Sequence, residues 1–346
     1  MKNIHSEVIQ FRGRHDDFGY TQGNRLRGSK LYNNHKLRRK KSLQRYHVDM
    51  KKVKDLYLHY APGVWDEIKG LAEGLQWPVQ EVIHEYSGWQ QDWENSGCSI
   101  LTGDRFFARN YDYHPKTYEG RFLLFQPSSG TATIGPGQRI IGRTDGMNEY
   151  GLCVGYNFVN RIHPEDGFIC CSLTRFLLEN CKNTEEAVHL LRELPHRHSF
   201  NYVIYDRKQD TAIIEASPRG IEYQEGNACT NHFSLMPEEN RRHLSDSEER
   251  LTQLKNYQKK VATVQEAFEY LNDTNGMIFS KQYSRWTGTI HTVCFSPESG
   301  QVLFGLGGDT TPVQISFNEW LKGTPAFIKK VIGRIDTKEN IPYMDA

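Results

Sequence analysis

Two residues of this chain could make a reactive sulfur between them: Cys98 and Arg109. They lie in Gly97-Cys98-Ser99-Ile100-Leu101-Thr102-Gly103-Asp104-Arg105-Phe106-Phe107-Ala108-Arg109-Asn110-Tyr111-Asp112, which reads as a β-hairpin. Ser99–Thr102 and Arg105–Ala108 are strand-like, and Gly103-Asp104 suits a two-residue turn. Counting back from that turn pairs Thr102 with Arg105, Leu101 with Phe106, Ile100 with Phe107, Ser99 with Ala108 and Cys98 with Arg109. Directly opposed residues on one face have Cβ atoms about 4.5–5.5 Å apart. A cation at that range favours thiolate, the nucleophilic form, over thiol. A small buried sheet cysteine fits the same pattern, so both readings stay open on the hairpin alone.

A nucleophilic cysteine needs a base. Papain-like enzymes use histidine, but the C-G-x-C-W context of those enzymes does not surround Cys98. A nucleophile at a chain's N-terminus can instead use its own α-amine, whose reference pKa of about 7.7–8.0 suits the task. That route requires a cut before Cys98. Gly97 fits there, because its missing side chain lets Cys98 approach the preceding carbonyl.

The other chemistry-bearing residues are less pointed. Leu152, Val154, Tyr156 and Phe158 share one face of a strand, and Cys153, Gly155 and Asn157 share the other. That second face is small apart from one amide, which suits a strand lining a site or an amide tying down a loop. His196-Arg197-His198 and Cys170-Cys171 match no standard metal spacing, so no metal and no cofactor is expected. His232 beside Asn231 could line a pocket.

Several elements must position these residues. Residues 1–97 read as mainly helical. A short strand near Glu7–Phe11 leads into Gly19-Tyr20-Thr21-Gln22-Gly23, whose glycines mark close backbone approach. Helical patterns follow at Leu43–His59, from Pro62 through Leu75, and at Pro78–Tyr86. Lys36, Arg38, Arg39, Lys40, Lys41 and Arg45 form a basic cluster without interleaved aromatics, which reads as a solvated face and not a nucleic-acid site. After Asp112 come strand candidates at Arg121–Gln126, Thr131–Ile134, Arg139–Gly142 and Leu152–Phe158. Helices at Ser172–Asn180 and Thr184–Leu194 follow, then strands at Asn201–Tyr205 and Thr211–Ala216. Helices at Asp246–Lys259 and Val264–Leu271 come next, the second with a Thr263/Glu266 capping box. A hairpin of Thr289–Phe295 and Gln301–Leu306 closes the pattern. Strands, two helices, strands, two helices, strands fit helices outside two mostly antiparallel sheets, an α+β class.

The 346 residues are 37% hydrophobic and 25% charged, with a net charge of +1. That describes a globular chain with no general attraction to nucleic acid or anionic membrane. No apolar run approaches a membrane span. The start, Met1-Lys2-Asn3-Ile4, lacks the apolar core of a signal peptide. The seven cysteines are odd in number and lack C-x-x-C spacing. A reducing, cytoplasmic setting without a disulfide framework is the expectation.

Taken in order, several segments resemble the acyl-coenzyme A:6-aminopenicillanic acid acyltransferase (isopenicillin N acyltransferase) family. These are N-terminal-nucleophile hydrolases related to bile salt hydrolases and penicillin V acylases. The segments are Gly97-Cys98, Arg109-Asn110-Tyr111-Asp112, Asp145-Gly146-Met147-Asn148-Glu149-Tyr150-Gly151-Leu152, Gly155-Tyr156-Asn157-Phe158, Thr230-Asn231 and a weaker Ser247-Glu248-Glu249-Arg250. The similarity runs from about Gly19 to Gly308. It implies a four-layer αββα sandwich and autocatalytic cleavage between Gly97 and Cys98. Residues 1–97 would then be one fragment and 98–346, the catalytic domain, the other, the two staying associated. The resemblance assigns Cys98 the thiol and the new α-amine. Arg109 would hold the thiolate, and Asp112 would orient the amine. Asn157 and Asn231 would donate to the oxyanion, and Arg250 would steady the site. An exposed helix arginine paired with Asp246 at i,i+4 is the alternative for Arg250. One tension stands: in an even strand Asp112 points away from the face carrying Arg109, so a bulge or strand end between them is expected. The implied substrate is a small acyl amide or acyl-coenzyme A. Hydrolase, acyltransferase and an uncleaved, silent binding protein are the readings in play, with hydrolase favoured because water is always available. The composition leaves homo-oligomerisation open.

Overall fold

The computed structural model describes residues 1–93, 95–241, 245–261 and 263–344. The chain begins with a strand, β1 (Lys2–Gly13), followed by α1 (His15–Leu26), α2 (Lys30–Ser42), α3 (Met50–Tyr60), α4 (Pro62–Leu75) and α5 (Val79–Tyr86). Then come β2 (Gly97–Gly103), β3 (Phe106–Tyr113), β4 (Arg121–Pro127), β5 (Thr133–Gln138), β6 (Gly142–Arg143), β7 (Asp145–Asn148) and β8 (Cys153–Asn160). The next elements are α6 (Cys170–Asn180), α7 (Thr184–Glu193), β9 (Ser199–Tyr205), β10 (Thr211–Ser217), β11 (Gly220–Gln224) and β12 (Ala228–Cys229). The chain closes with α8 (Ser245–Gln258), α9 (Val264–Asn272), β13 (Gly288–Ser296), β14 (Gln301–Leu306), β15 (Val313–Ser316), α10 (Phe317–Leu321) and β16 (Lys330–Ile335).

Two sheets form. The larger runs β11-β10-β9-β8-β7-β5-β4-β1-β16, with β6 paired to β5, and the smaller runs β12-β2-β3-β13-β14-β15. Helices α6 and α7 pack on the larger sheet, and α8 and α9 on the smaller. The sheets meet where Gly155 of β8 faces Phe107, Ile100 and Arg109. This is the αββα sandwich. A Cβ on Gly155 would stand 2.9 Å from the Phe107 ring, so the small residue sets how closely the layers approach.

Residues 1–97 are built into this sandwich. β1 lies between β4, parallel, and β16, antiparallel. Helix α1 covers the outer face of the larger sheet through Phe18, which packs with Ile9, Leu123 and Phe125. The glycines singled out in the sequence lie inside α1, and α4 answers with its own. A Cβ at Gly19 would fall 2.0 Å from the Glu67 carbonyl oxygen, and one at Gly70 would fall 1.9 Å from that of Asp16. The helices therefore touch backbone to backbone, which any larger residue would block.

Three sequence expectations shift. The helix expected at Leu43–His59 begins only at Met50: α2 ends at Ser42, residues 43–49 are not helical, and Asp49 caps α3 by accepting from the Lys52 N–H at 3.0 Å. The strand expected at Arg139–Gly142 is instead a turn in which Arg139 and Ile140 take φ of 52° and 63°. The basic cluster is partly paired: Arg38 bridges to Glu85, and Arg39 bridges to Glu81 at 2.5 Å and lies 3.9 Å over the Trp77 ring. Among the described residues, no helix is long and apolar enough to cross a membrane.

Candidate active site

The hairpin forms, but its register differs from the sequence count. Gly103 pairs with Phe106, so Asp104-Arg105 is the turn. Cys98 sits opposite Tyr111, and Arg109 opposite Ile100. Gly103 is therefore not a turn residue. It is the gap that receives the Phe106 ring, whose Cε1 would be 2.4 Å from a Cβ there, while Arg105 supplies the positive φ of 61°. Because the slip is by two residues, every side chain keeps its face. Arg109 and Cys98 still share the face between the sheets, and Arg109 Nη2 lies 3.5 Å from Cys98 Sγ.

Arg109 is wholly buried and heavily committed. Nη1 donates to Asp145 Oδ2 at 2.6 Å and to the Thr144 carbonyl, and Nη2 also donates to the Tyr156 carbonyl. Its guanidinium stands 4.7 Å from the Tyr156 ring centre and 5.1 Å from that of Tyr111. For Asp145, burial favours the neutral acid, but the His291 hydrogen bond and the Arg109 charge outweigh it and hold the carboxyl below its usual range. At Cys98 the balance goes the other way. Burial pushes the thiol up to about 11, the Asp112 charge adds to that, and the nearby Arg109 only partly opposes it. In the uncut chain desolvation outweighs the pull of Arg109, and the thiol form is favoured.

Asp112 lies on the opposite face of β3. No bulge separates it from Arg109; the irregularity in this pair of strands belongs to β13, between Thr289 and His291. The expected detour in β3 is not needed, because the main chain at Gly97-Cys98 runs between the two faces and is reached from both. Asp112 pairs with Gly97, and its Oδ2 would be only 3.6 Å from a Cβ at that glycine. Thr289 Oγ1 donates to Asp112 Oδ1 at 2.7 Å. Burial raises the Asp112 carboxyl to about 7, against the pull of Arg250 and of the Thr289 hydrogen bond.

Asn231 and Arg250 close the other side. The Cys98 N–H donates to Asn231 Oδ1 at 2.9 Å. Asn231 Nδ2 donates to the Phe158 carbonyl at 2.8 Å and reaches that of Ser96 at 3.4 Å. Arg250 Nη1 donates to the Cys98 carbonyl and to Ser99 Oγ, each at 2.9 Å, and Nη2 to Asn231 Oδ1 at 3.0 Å. Its Nε donates to Asp246 Oδ2 at 3.0 Å. Arg250 is buried, so the exposed-arginine alternative fails even though its i,i+4 pair with Asp246 exists; the rest of the fork lies on Cys98, Ser99 and Asn231. Asn157 is placed less directly. Its Nδ2 donates to the Cys229 carbonyl at 3.0 Å, and its Oδ1 has no partner among the described residues. Asn157 therefore lies beside the segment that carries Asn231, while Arg109, Asp112, Asn231 and Arg250 all converge on Cys98 or Gly97.

Sequence reasoning missed Asp145 and Ser247 as site residues. Ser247 Oγ accepts from the Asn231 N–H at 2.8 Å, and His232 Nδ1 lies 2.8 Å from the same oxygen. Both residues fall in segments the resemblance had picked out, yet nothing in their spacing showed which partner each would meet. Trp93 was also missed. Its indole stacks on Tyr113 at 5.1 Å and meets Tyr156 and Phe200 edge-on at 5.7 and 5.9 Å. Cys98 is 1% exposed. A cleft of about 640 Å³ opens elsewhere, between α7 and the β10–β11 edge, and contains none of these residues. Among the described residues, no group of three His, Cys, Asp or Glu side chains could hold a metal ion.

The family model for acyl-coenzyme A:6-aminopenicillanic acid acyl-transferase matches residues 100–310. No curated protein gives a significant match. Among solved structures, a conjugated bile acid hydrolase from Clostridium perfringens is similar in two variants. Both are 13% identical and cover 64% of this chain and 93% of theirs, with TM-scores of 0.43 and 0.40. Penicillin V acylase from Agrobacterium tumefaciens is 14% identical, covers 63% of this chain and 84% of its own, and has a TM-score of 0.40.

Proposed function

The chain belongs to the acyl-coenzyme A:6-aminopenicillanic acid acyl-transferase family, and we propose that within it this protein is a cysteine-dependent amidohydrolase that first cuts its own Gly97–Cys98 bond. The observation that carries this is the convergence on one residue. Arg109 lies at the Cys98 sulfur, Asn231 at its nitrogen and Arg250 at its carbonyl.

Maturation comes first. Cys98 Sγ attacks the Gly97 carbonyl carbon, the C–N bond to Cys98 breaks, and the nitrogen takes the thiol's proton. Water then hydrolyses the thioester, leaving a Gly97 carboxylate and a free amine on Cys98. Asp112 beside Gly97, and Arg250 on the Cys98 carbonyl, hold the bond in place for this. The cut frees the end of the first fragment, Ser96-Gly97. Asn231 Nδ2 then loses its contact with the Ser96 carbonyl and has a hydrogen to offer an oxyanion.

In turnover, the α-amine takes the thiol proton and the sulfur adds to the substrate carbonyl. Asn231 and Asn157 donate to the oxygen as its charge develops, a role often worth 10²–10³ in rate for one donor. The amine leaves with the proton, and water releases the acid from the acyl-enzyme. Arg109, anchored on Asp145 and the Tyr156 carbonyl, keeps Nη2 at the sulfur throughout.

The test is a panel of linear acyl amides offered to the wild type and to Cys98→Ala, with acyl-coenzyme A plus an amine run in parallel. Release of free acid that Cys98→Ala abolishes supports the hydrolase. Transfer of the acyl group to the amine in preference to water would make the protein an acyltransferase on the same acyl-enzyme. Equal turnover by Cys98→Ala would remove the nucleophile.

A further inference from the structure

One irregularity in the smaller sheet sits beside the site, and the chemistry above makes no use of it. Strand β13 pairs evenly with β3 from Phe295↔Phe107 to His291↔Tyr111, then skips a residue, so that Thr289 pairs with Asp112. Ile290 is the extra residue. In an even strand Thr289 and His291, two apart, would share a face. The bulge splits them. Thr289 turns outward and donates to Asp112 Oδ1 at 2.7 Å. His291 turns inward, where its Nε2 lies 3.5 Å from Asp145 Oδ2 and its ring stacks on Tyr111 at 5.0 Å. Bulges that re-aim side chains beside active sites are a known device.

Resting on the cysteine-nucleophile reading, we propose that the Ile290 bulge makes Thr289 and His291 a pair of positioning residues, one for each side of Cys98. Thr289 fixes the Asp112 carboxyl beside the scissile bond. His291 fixes Asp145, which takes Arg109 Nη1 and leaves Nη2 for the sulfur. Removing the bulge would turn one of the two to the wrong face.

The surroundings fit this division. His291 is wholly buried and is faced by Tyr111 and Arg109 from β3, Asp145 from β7 and the Phe304 ring from β14. Burial pushes its pKa down against the opposing pull of Asp145. It is therefore a neutral ring near pH 7, able to donate one N–H to Asp145. Asp112 is faced by Arg250 and Asp246 from α8, Arg109 from its own strand, Cys98 from β2, and Tyr283 and Thr289 ahead of and within β13. The Thr289 hydroxyl, 2.7 Å from Oδ1, is the local anchor of this carboxyl.

The test reads Cys98 directly, without the natural substrate. Iodoacetamide labelling of Cys98 is measured against pH in processed protein, and the rate of self-cleavage in freshly made chain. His291→Phe keeps a ring over Tyr111 and removes the N–H. Labelling at pH 7 should slow about tenfold, with its midpoint about one unit higher, and His291→Gln, which keeps a donor, should recover most of the loss. Thr289→Val keeps the shape and loses the hydroxyl. It should slow self-cleavage about tenfold and raise the acidic limb of its pH profile, because a carboxylate that loses a donor binds its proton more tightly. Thr289→Ser should restore both. Folded His291→Phe and Thr289→Val proteins within twofold of the parent in both readings would overturn the inference. So would an equal loss in His291→Gln and His291→Phe, which would mean that only the ring's shape matters. Normal labelling and cleavage in both variants would sink the positioning roles alone, whereas amide turnover by Cys98→Ala would sink the nucleophile and these roles together.

Discussion

At Cys98, burial and a neighbouring cation act in opposite directions on one sulfur, and burial is the larger. Opening the site by cleavage should therefore matter more to the thiol than any change at Arg109, and labelling of Cys98 should rise steeply on processing. Arg109 itself is best probed as half of a pair. Removing it alone strands the Asp145 carboxylate in a site with no exposure, a kind of change that costs about 3–5 kcal/mol. Arg109→Leu should thus lose more stability in urea than Arg109→Leu combined with Asp145→Leu; a double variant that is no better would show the two charges to be uncoupled. Asp112 gives a pH signature. Its carboxyl is raised to about 7 in the fold from an ordinary 3.8, so the folded state binds more protons between those values. The stability it contributes is full below about 3.8 and falls by about 1.4 kcal/mol per pH unit up to about 7. In the uncleaved Cys98→Ala chain, Asp112→Asn should remove that part of the slope, and an unchanged difference in stability between pH 4 and pH 7 would contradict it. Asn231→Ala should lower kcat far more than it raises KM, because its donor meets charge that develops only in the transition state; a change below about tenfold in kcat/KM would take Asn231 out of the site. Cys98, Arg109, Asn231 and Arg250 were readable because ordered motifs carry them. Asp145 lies in such a segment, but nothing there shows that it meets Arg109, and Thr289 and His291 lie in none of them.

At the scale of elements, the hairpin shows what turn chemistry can and cannot fix. Gly103-Asp104 looks like a turn on composition, but the Phe106 ring needs Gly103 as floor space, and the turn moves one residue on. Face assignment survived because the slip was even. The β13 bulge had no sequence mark at all: Thr289-Ile290-His291 is an ordinary strand tripeptide, and the irregularity shows only in its pairing with β3, where Thr289 meets Asp112 and His291 meets Tyr111. The helix-packing glycines were legible, because glycine pairs four apart are otherwise costly in a helix. Gly97 sits at the junction of these elements. A Cβ there would meet Thr287 at 3.1 Å and approach Asp112 Oδ2 at 3.6 Å. Gly97→Ala should therefore fold and self-cleave several-fold more slowly, as followed by the time course of fragment appearance on denaturing gels. Cleavage at the parental rate would show that the space at Gly97 is not used.

At the scale of the whole molecule, the α+β class and two sheets with helices outside them followed from the order of strands and helices, and the four-layer arrangement from the resemblance, whereas the pairing of residues 1–97 into the larger sheet followed from neither. Their texture is helical, yet they also supply β1, held between β4 and β16 inside the larger sheet. Strand β16 lies far along the chain, and neither strand announces its partner by pattern alone. This placement means that a cut before Cys98 leaves the first fragment bound by two strand pairings and by Phe18 of α1 packed on Leu123 and Phe125. The cleaved protein should elute as one species under native conditions and come apart only in denaturant; loss of residues 1–97 on native chromatography would contradict that. The account as a whole turns on whether the Cys98 α-amine becomes free. The most direct measurement is the mass of the purified chain in denaturant, with the N-terminal residue of each species read out. The account predicts two fragments, the larger beginning at Cys98, and a single 40.2 kDa chain for Cys98→Ala. A wild-type preparation that stays one 40.2 kDa chain, with the Gly97–Cys98 bond intact and full amide-hydrolysing activity, would contradict it.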